Sequence, residues 1–227
     1  MKSFLFLSIV SIASITLVSA TEPPPFNTQW IPSKPEVLTY RSTSSQGDGL
    51  YQVSISKKDT SIEIYINMIS PGFTKTVSGT MTPDMRPLQS KSKIIVNDQV
   101  TMETTCSYES DHLTITTVMF PYNQTMTNSP SFSKPVIDFS QTPLLIRTFL
   151  LEKGAEYTFT SLNPQNNTLT PLTVKVIGEG SVQEVDCYKV EVNDFEGLSL
   201  YWIEKSSRHR VIRVEQPGSH RTTELLQ

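Results

Sequence analysis

Three histidines, two cysteines and a scatter of carboxylates are the residues of this chain that could do chemistry. They would have to stand in groups to do it. A zinc site needs histidine or cysteine ligands at short, fixed spacing. His112, His209 and His220 have neither a second histidine nor a cysteine at such a spacing. His112 follows Asp111 where a turn is expected, and reads as a surface residue. A serine hydrolase of the nucleophile-elbow type would show Gly-x-Ser-x-Gly, and no serine stands in that phrase. Gly178-Glu179-Gly180-Ser181 has the composition of a phosphate loop, but no helix follows it to supply amide donors, so it reads as a hairpin turn. Asp48, Glu63, Glu103, Asp111 and Asp138 fall mostly on polar faces or in turns. Nothing marks two of them as the paired carboxylates of a glycosidase. The chain reads as noncatalytic, with no catalytic, metal-binding or cofactor-binding residue to nominate.

Three weaker constellations remain. Cys106 and Cys187 form a candidate disulfide, which an exported chain can hold. Closing so long a loop would contribute about 4–5 kcal/mol on the chain-entropy account. Strand parity opposes it: Cys106 shares a face with Met102, Thr104 and Tyr108, while Cys187 lies opposite Tyr188, Val190 and Val192. The alternative is two ordinary small residues. Next is the basic run Lys205, Arg208, His209, Arg210, Arg213, His220 and Arg221. Arg208, Arg210 and Arg213 are its candidate basic face, on which an anionic head group or envelope polymer would sit. The alternative is a solvated outer face whose charges blunt strand edges. Last is the aromatic set Tyr51, Tyr157, Phe159, Tyr188 and Trp202, read either as the lining of a ligand cavity or as plain core.

The elements that must position these groups begin after an export signal. Lys2 precedes a mostly apolar stretch from Phe4 to Val18, and Val18-Ser19-Ala20 offers the small residues of a cleavage site. Ser8, Ser11, Ser14 and Thr16 interrupt that stretch, which is also shorter than the roughly 20 apolar residues a spanning helix needs. Residues 1–20 are therefore read as a cleaved signal peptide. The mature chain is expected to have no membrane span and to lie in the periplasm or outside the cell. Pro23, Pro24, Pro25, Pro32 and Pro35 make residues 21–35 a proline-rich tether, with Trp30 and Ile31 as residues able to dock on the body. With 19 basic and 22 acidic residues, a formal net charge of −3 excludes nucleic acid as a bulk-charge partner.

From Glu36 onward the period is two. Ile62, Ile64, Ile66 and Met68 alternate with Glu63, Tyr65 and Asn67, and Tyr51, Val53 and Ile55 alternate in the same way. Asn97-Asp98 suits a tight hairpin, and Gly178 with Gly180 reads as another. Met119–Phe139 breaks the rhythm with three prolines and reads as a solvated crossover. A helix is expected over Ser140–Leu151, capped by Ser140 or Thr142, with Pro143 in its first turn and Gly154 past its end. Ten to twelve strands cannot lie in one flat sheet. The fold class is all-β: a strongly curved antiparallel sheet or half-open, clam-like barrel over residues 36–227, a single domain with the helix as plug or lid.

The second half also carries a familiar order of phrases. Asp138-Phe139 is followed by Leu144-Leu145-Ile146-Arg147, Leu150-Leu151 and Gly154. Val174-Lys175-Val176, Gly178-Glu179, Cys187-Tyr188-Lys189-Val190-Glu191, Tyr201-Trp202-Ile203, Arg210-Val211-Ile212 and Glu224-Leu225-Leu226 come after. In this order the chain resembles a bacterial exported family known only as a domain of unknown function, numbered three-one-zero-eight. The resemblance spans roughly residues 36–227 and is best over 138–227. It implies an exported, curved antiparallel β-domain, similar in shape to envelope proteins that carry lipids or lipoproteins, and it implies no catalytic residues. Shape alone does not carry function. The sequence leads to a noncatalytic envelope protein that holds a lipid or acyl chain between sheet and helix. The alternative is a structural or protein-interaction module of the envelope, with a self-filled core and another envelope protein as partner.

Overall fold

Alternation of apolar and polar side chains forces most of this chain into half-buried strands, and their number forces the sheet to curl. The computed structural model describes residues 26–226, apart from positions 46, 110, 111, 133–135 and 165. The expected signal peptide, and the first part of the expected tether, lie outside the described residues.

Fifteen strands form one sheet. The first eight are β1 (Glu36–Ser44), β2 (Gly47–Lys57), β3 (Ile62–Ser70), β4 (Phe73–Met81), β5 (Pro87–Val96), β6 (Gln99–Tyr108), β7 (Leu113–Met119) and β8 (Gln124–Asn128). The others are β9 (Val136–Asp138), β10 (Glu156–Asn163), β11 (Thr168–Val182), β12 (Val185–Asp194), β13 (Gly197–Glu204), β14 (Val211–Gln216) and β15 (Arg221–Leu225). The order is β8-β7-β6-β5-β4-β3-β2-β1-β15-β14-β13-β12-β11-β10-β9, antiparallel throughout except for the β9–β10 pair. The first half steps outward from β1 strand by strand. The second half steps back, until β15 pairs with β1 through Tyr40↔Leu225 and Ser42↔Thr223.

The count exceeds the expected ten to twelve, and two of the additional strands were hidden for a physical reason. β8 is exposed along its whole length and β9 is only three residues long, so neither shows a half-buried alternation. Both lie inside the stretch read as a crossover. The sheet is curved and unclosed. Its two ends meet through side chains: Val136 of β9 and Leu162 of β10 pack with Cys106, Leu113 and Ile115 of β6 and β7.

The concave face holds the main core. Val53 and Ile66 face each other across β2 and β3, as do Ile55 and Ile64, and all four are buried. Val174 and Val192, with Val176 and Val190, do the same on β11 and β12. Asn97 and Asp98 both have positive φ, 49° and 63°, as a tight hairpin between right-twisted strands requires. The expected hairpin at Gly178 and Gly180 lies elsewhere. β11 runs through both, with a register shift between Val176 and Gly178, and the chain turns at Gln183-Glu184 (φ 50° and 63°). Gly180 is small for another reason: a Cβ there would stand 3.0 Å from the Trp202 ring.

The expected helix is also shorter than its pattern. A 3-10 turn (Phe139–Gln141) leads into α1 (Thr142–Leu145), and the helix stops there. Its cap is Asp138, which accepts from the Ser140 amide while Gln141 accepts from the Asp138 amide. Past Ile146 the amides of Arg147 and Thr148 bond the carbonyls of Leu144 and Leu145, three residues back, and Thr148 Oγ1 takes the Leu145 carbonyl as well. Such bonds tighten and end a helix. Residues 26–35 do not behave as a free tether. Ile31 is buried, the Asn27 amide bonds the Thr148 carbonyl at 2.8 Å, and the Lys57 amide bonds the Pro32 carbonyl at 2.8 Å.

Candidate functional site

The site is a cavity, and its floor is the segment around α1. Leu144, Leu145, Ile146 and Thr148 are fully enclosed inside the curved sheet, with Phe149 almost so. Two polar residues lock this plug in place. Asp138, at its start, is 1% exposed, and its carboxylate accepts from Ser90 Oγ, Tyr108 Oη, the Ser140 amide and Ser140 Oγ. Ser90 and Tyr108 belong to β5 and β6, so this carboxylate ties the β9 edge to the opposite end of the sheet. Burial, then the Asp138 charge, raises the Tyr108 phenol and keeps it a donor.

Arg147, at the far end of the plug, is fully buried. Its Nη2 donates to Glu36 Oε2 at 2.8 Å and to the Arg208 carbonyl at 2.9 Å, and its Nε donates to the His209 carbonyl at 3.0 Å. His209 Nδ1 donates in return to the Arg147 carbonyl at 3.2 Å. The guanidinium carbon lies 4.1 Å from the Trp30 ring centroid. A buried charge needs this much compensation, because an unpaired one would cost several kcal/mol.

Above this floor lies a cavity of about 640 Å³. That is within the range of small-molecule sites. Its wall on β1 to β4 is apolar: Leu38, Val53, Ile55, Ile66, Met68 and Val77. Its wall on β5 and β6, with the turn before α1, is polar: Ser90, Ser92, Thr104, Asp138 and Ser140. Along β1 the lining runs from Leu38 to Ser44, about 20 Å of strand. Leu50, Ile69 and Phe73 stand exposed at the rim, where Glu196 and Arg221 also line the space.

The ionisable groups of the wall are unevenly matched. Burial raises the phenols of Tyr40, Tyr51 and Tyr201 well above their ordinary value, so all three remain neutral donors. Lys75 points inward from β4, in the parity of Phe73 and Val77. Burial pushes its ammonium below the usual lysine value, and the fields of Glu196 and Asp138 offset part of that. Among the described residues it forms no ion pair or hydrogen bond. No described cluster of three or more His, Cys, Asp or Glu residues is placed to hold a metal ion.

The profile of a family described as "Protein of unknown function (DUF3108)" matches residues 37–225. The chain belongs to this family. Among solved structures, the crystal structure of a beta-barrel-like protein of domain of unknown function DUF1849 from Brucella abortus is similar, with a TM-score of 0.59 and 10% sequence identity. The match covers 87% of this chain and 98% of that one. At such identity the likeness shows the curved β architecture and nothing further. No curated protein matches the chain at the significance asked of a relative.

In this DUF3108 member the sequence-predicted cavity residues separate. Tyr51 lines the cavity. Tyr157 and Phe159 stack on Phe149 instead, at 4.7 and 5.4 Å between centroids, and Phe26 closes the cluster against Phe149 at 5.9 Å. Tyr188 packs against the core with Lys205 over its ring. Trp202 pairs across strands with Lys189 and Arg213, on the face opposite Tyr201, and donates to Glu215. These four fill the body and do not line the cavity.

The expected basic face is dismantled in the same way. Arg208 and Arg210 lie before β14, in the loop after β13, not on a strand. Arg210 spends its fork on Glu204, with Nε to Oε1 at 2.9 Å and Nη2 to Oε2 at 2.8 Å. Arg213 pairs with Glu224 and Glu215. Cys106 and Cys187 are separate buried thiols in different clusters. Burial first, then Asp138, pushes the Cys106 thiol up to about 12. Lys75, Glu36 and the roles of Arg147 and Asp138 escaped the reading of motifs. Lys75 had a signal, since a charge stands on the inward face that Phe73, Val77, Gly79 and Met81 otherwise make apolar.

Proposed function

We propose that this protein is an exported, noncatalytic binding protein of the cell envelope that holds a lipid or acyl chain in the cavity between its concave sheet and the plug around α1. The observation that carries this reading is the cavity itself: about 640 Å³, open at one end and walled on β1 to β4 by aliphatic side chains. A core filled by its own side chains would leave no such space, because protein interiors pack close to crystal density. The plug supports the reading as well. It is held by buried polar anchors at both ends, so the space above it does not collapse onto mobile chain. No described helix is long and apolar enough to cross a membrane.

Native mass spectrometry tests the proposal directly. Protein purified without detergent is measured before and after organic extraction, then after incubation with oleyl alcohol. The expected result is a stoichiometric adduct that extraction removes and the alcohol restores. Ile66→Trp, which fills the apolar wall, should abolish the adduct while leaving the fold intact by circular dichroism. A bare monomer that takes up no alcohol would favour the envelope-module alternative and reject the carrier reading.

A further inference from the structure

Three described cations line the cavity: Lys75, Arg147 and Arg221. Arg221 stands at the mouth beside Glu196, whereas Lys75 stands on the aliphatic wall itself and makes no ion pair among the described residues. Lys75 sits inward on β4, and its cross-strand partners Met68 and Ile94 are apolar. The carboxylates that reach it by field are Glu196 and Asp138, and neither lies within ion-pair distance among the described residues. Asp138 is already saturated by four donors. Glu196 lies at the mouth and takes Gln216 Nε2 at 3.4 Å. Diagonally across from Lys75 on β5, Ser92 also lines the cavity, and no described residue bonds its hydroxyl. A half-buried ammonium diagonal to a hydroxyl with no described partner, at the border of an aliphatic wall, is complementary to an acid on an apolar chain.

We infer that the ligand is an anionic amphiphile, and that Lys75, helped by Ser92, receives its carboxylate or phosphate head while the chain lies along Met68, Ile66 and Val53. This inference rests on the carrier reading above. It adds a head-group class and a polarity: acid toward the mouth, chain toward the plug. Burial weakens the bare ammonium, which a bound anion would restore. Arg147 also lines the cavity but is a different case: Glu36 and two carbonyls already hold its Nη2 and Nε at the plug, and only Nη1 is left without a described partner.

The test compares three probes of matched chain length, oleate, oleoyl lysophosphatidate and oleyl alcohol, by tryptophan quenching or calorimetry on the whole mature chain. Lys75→Met should weaken the acid or the phosphate by about tenfold or more and leave the alcohol within about twofold, since only a charged head loses a charge-assisted bond. Whichever anion suffers names the head group. Lys75→Arg should keep the preference, and Ser92→Ala should lose a smaller part of it. Lys75→Gln serves as a second variant if the methionine variant fails to fold. Equal effects on acid and alcohol, or none on either anion, would overturn the head-group assignment and leave the carrier reading standing. Failure of the wild type to bind even the alcohol would reject both.

Discussion

Arg147 shows how far a residue's role can sit from its appearance in a list of phrases. In the sequence it is the last letter of Leu144-Leu145-Ile146-Arg147, with nothing to set it apart from other arginines. In the fold it joins the plug to β1 through Glu36, to the loop after β13 through two carbonyls, and to residues 26–35 through Trp30. The hydrogen-bond partners are 61 to 111 positions away and Trp30 is farther still, so no local pattern could have revealed them. Lys75 is the opposite case, because parity alone sets it inward. Removing one partner of a buried pair leaves the other charge uncompensated, at about 3–5 kcal/mol. Arg147→Met should therefore lower unfolding free energy by that order, measured by urea denaturation. The double variant Glu36→Gln/Arg147→Met should recover part of the loss. A single variant as stable as wild type would show that the arginine is replaceable.

At the scale of elements, what was legible followed the period of two. The inward faces of β2 and β3 and the tight turn at Asn97-Asp98 are where alternation and turn chemistry put them. What was lost had no alternation to read. The aromatic residues of β10, β12 and β13 looked equivalent to Tyr51, because parity tells inward from outward and not cavity from core. The arginines after β13 looked like a strand face only until the chain turned. That loop is an ion-paired corner. Burial alone would raise the Glu204 carboxyl, but hydrogen bonds from Arg210 and Ser206 outweigh it and hold the group below its usual value. A carboxyl lowered by folding contributes stability above its unfolded pKa, about 4.3. That contribution is lost as pH falls through the lower, folded value. Glu204→Gln should thus cost roughly 1–3 kcal/mol at neutral pH and flatten the acid limb of a stability–pH curve. Arg208→Glu, by contrast, reverses an exposed side chain whose backbone does the structural work, and should leave stability unchanged. An acid limb identical in wild type and Glu204→Gln would show that the pair carries no linkage.

For the whole molecule, the sheet closes the chain on itself at one place and leaves it open at another. The open place is the seam between β9 and the β5–β7 end, bridged by Asp138 and a small apolar cluster instead of a ladder. The closed place is β1–β15, which joins the outward and the returning meander by backbone hydrogen bonds, with the Leu226 amide adding a bond to the Thr39 carbonyl at 2.8 Å. A curved all-β domain was legible from strand number and the single helix pattern. Which strands would meet was not, because pairing across nearly 190 positions leaves no local trace. The two seams differ in what carries them. The β9 seam is carried by side chains, the buried Asp138 carboxylate and a small apolar cluster. The β1–β15 ladder is carried by the backbone. Deleting residues 221–227 would expose two long edges, β1 and β14, and strip Arg213 of Glu224. Trp30 lies before β1 and Trp202 on β13, so tryptophan fluorescence reports from both sides of the junction. The full chain should unfold in one transition. The truncated chain should lose stability on the order of a whole domain's 5–15 kcal/mol and show no cooperative transition in urea. If it instead unfolds at the same midpoint as the full chain, the two meanders are held by plug and seam alone, and the β1–β15 ladder is incidental to the fold.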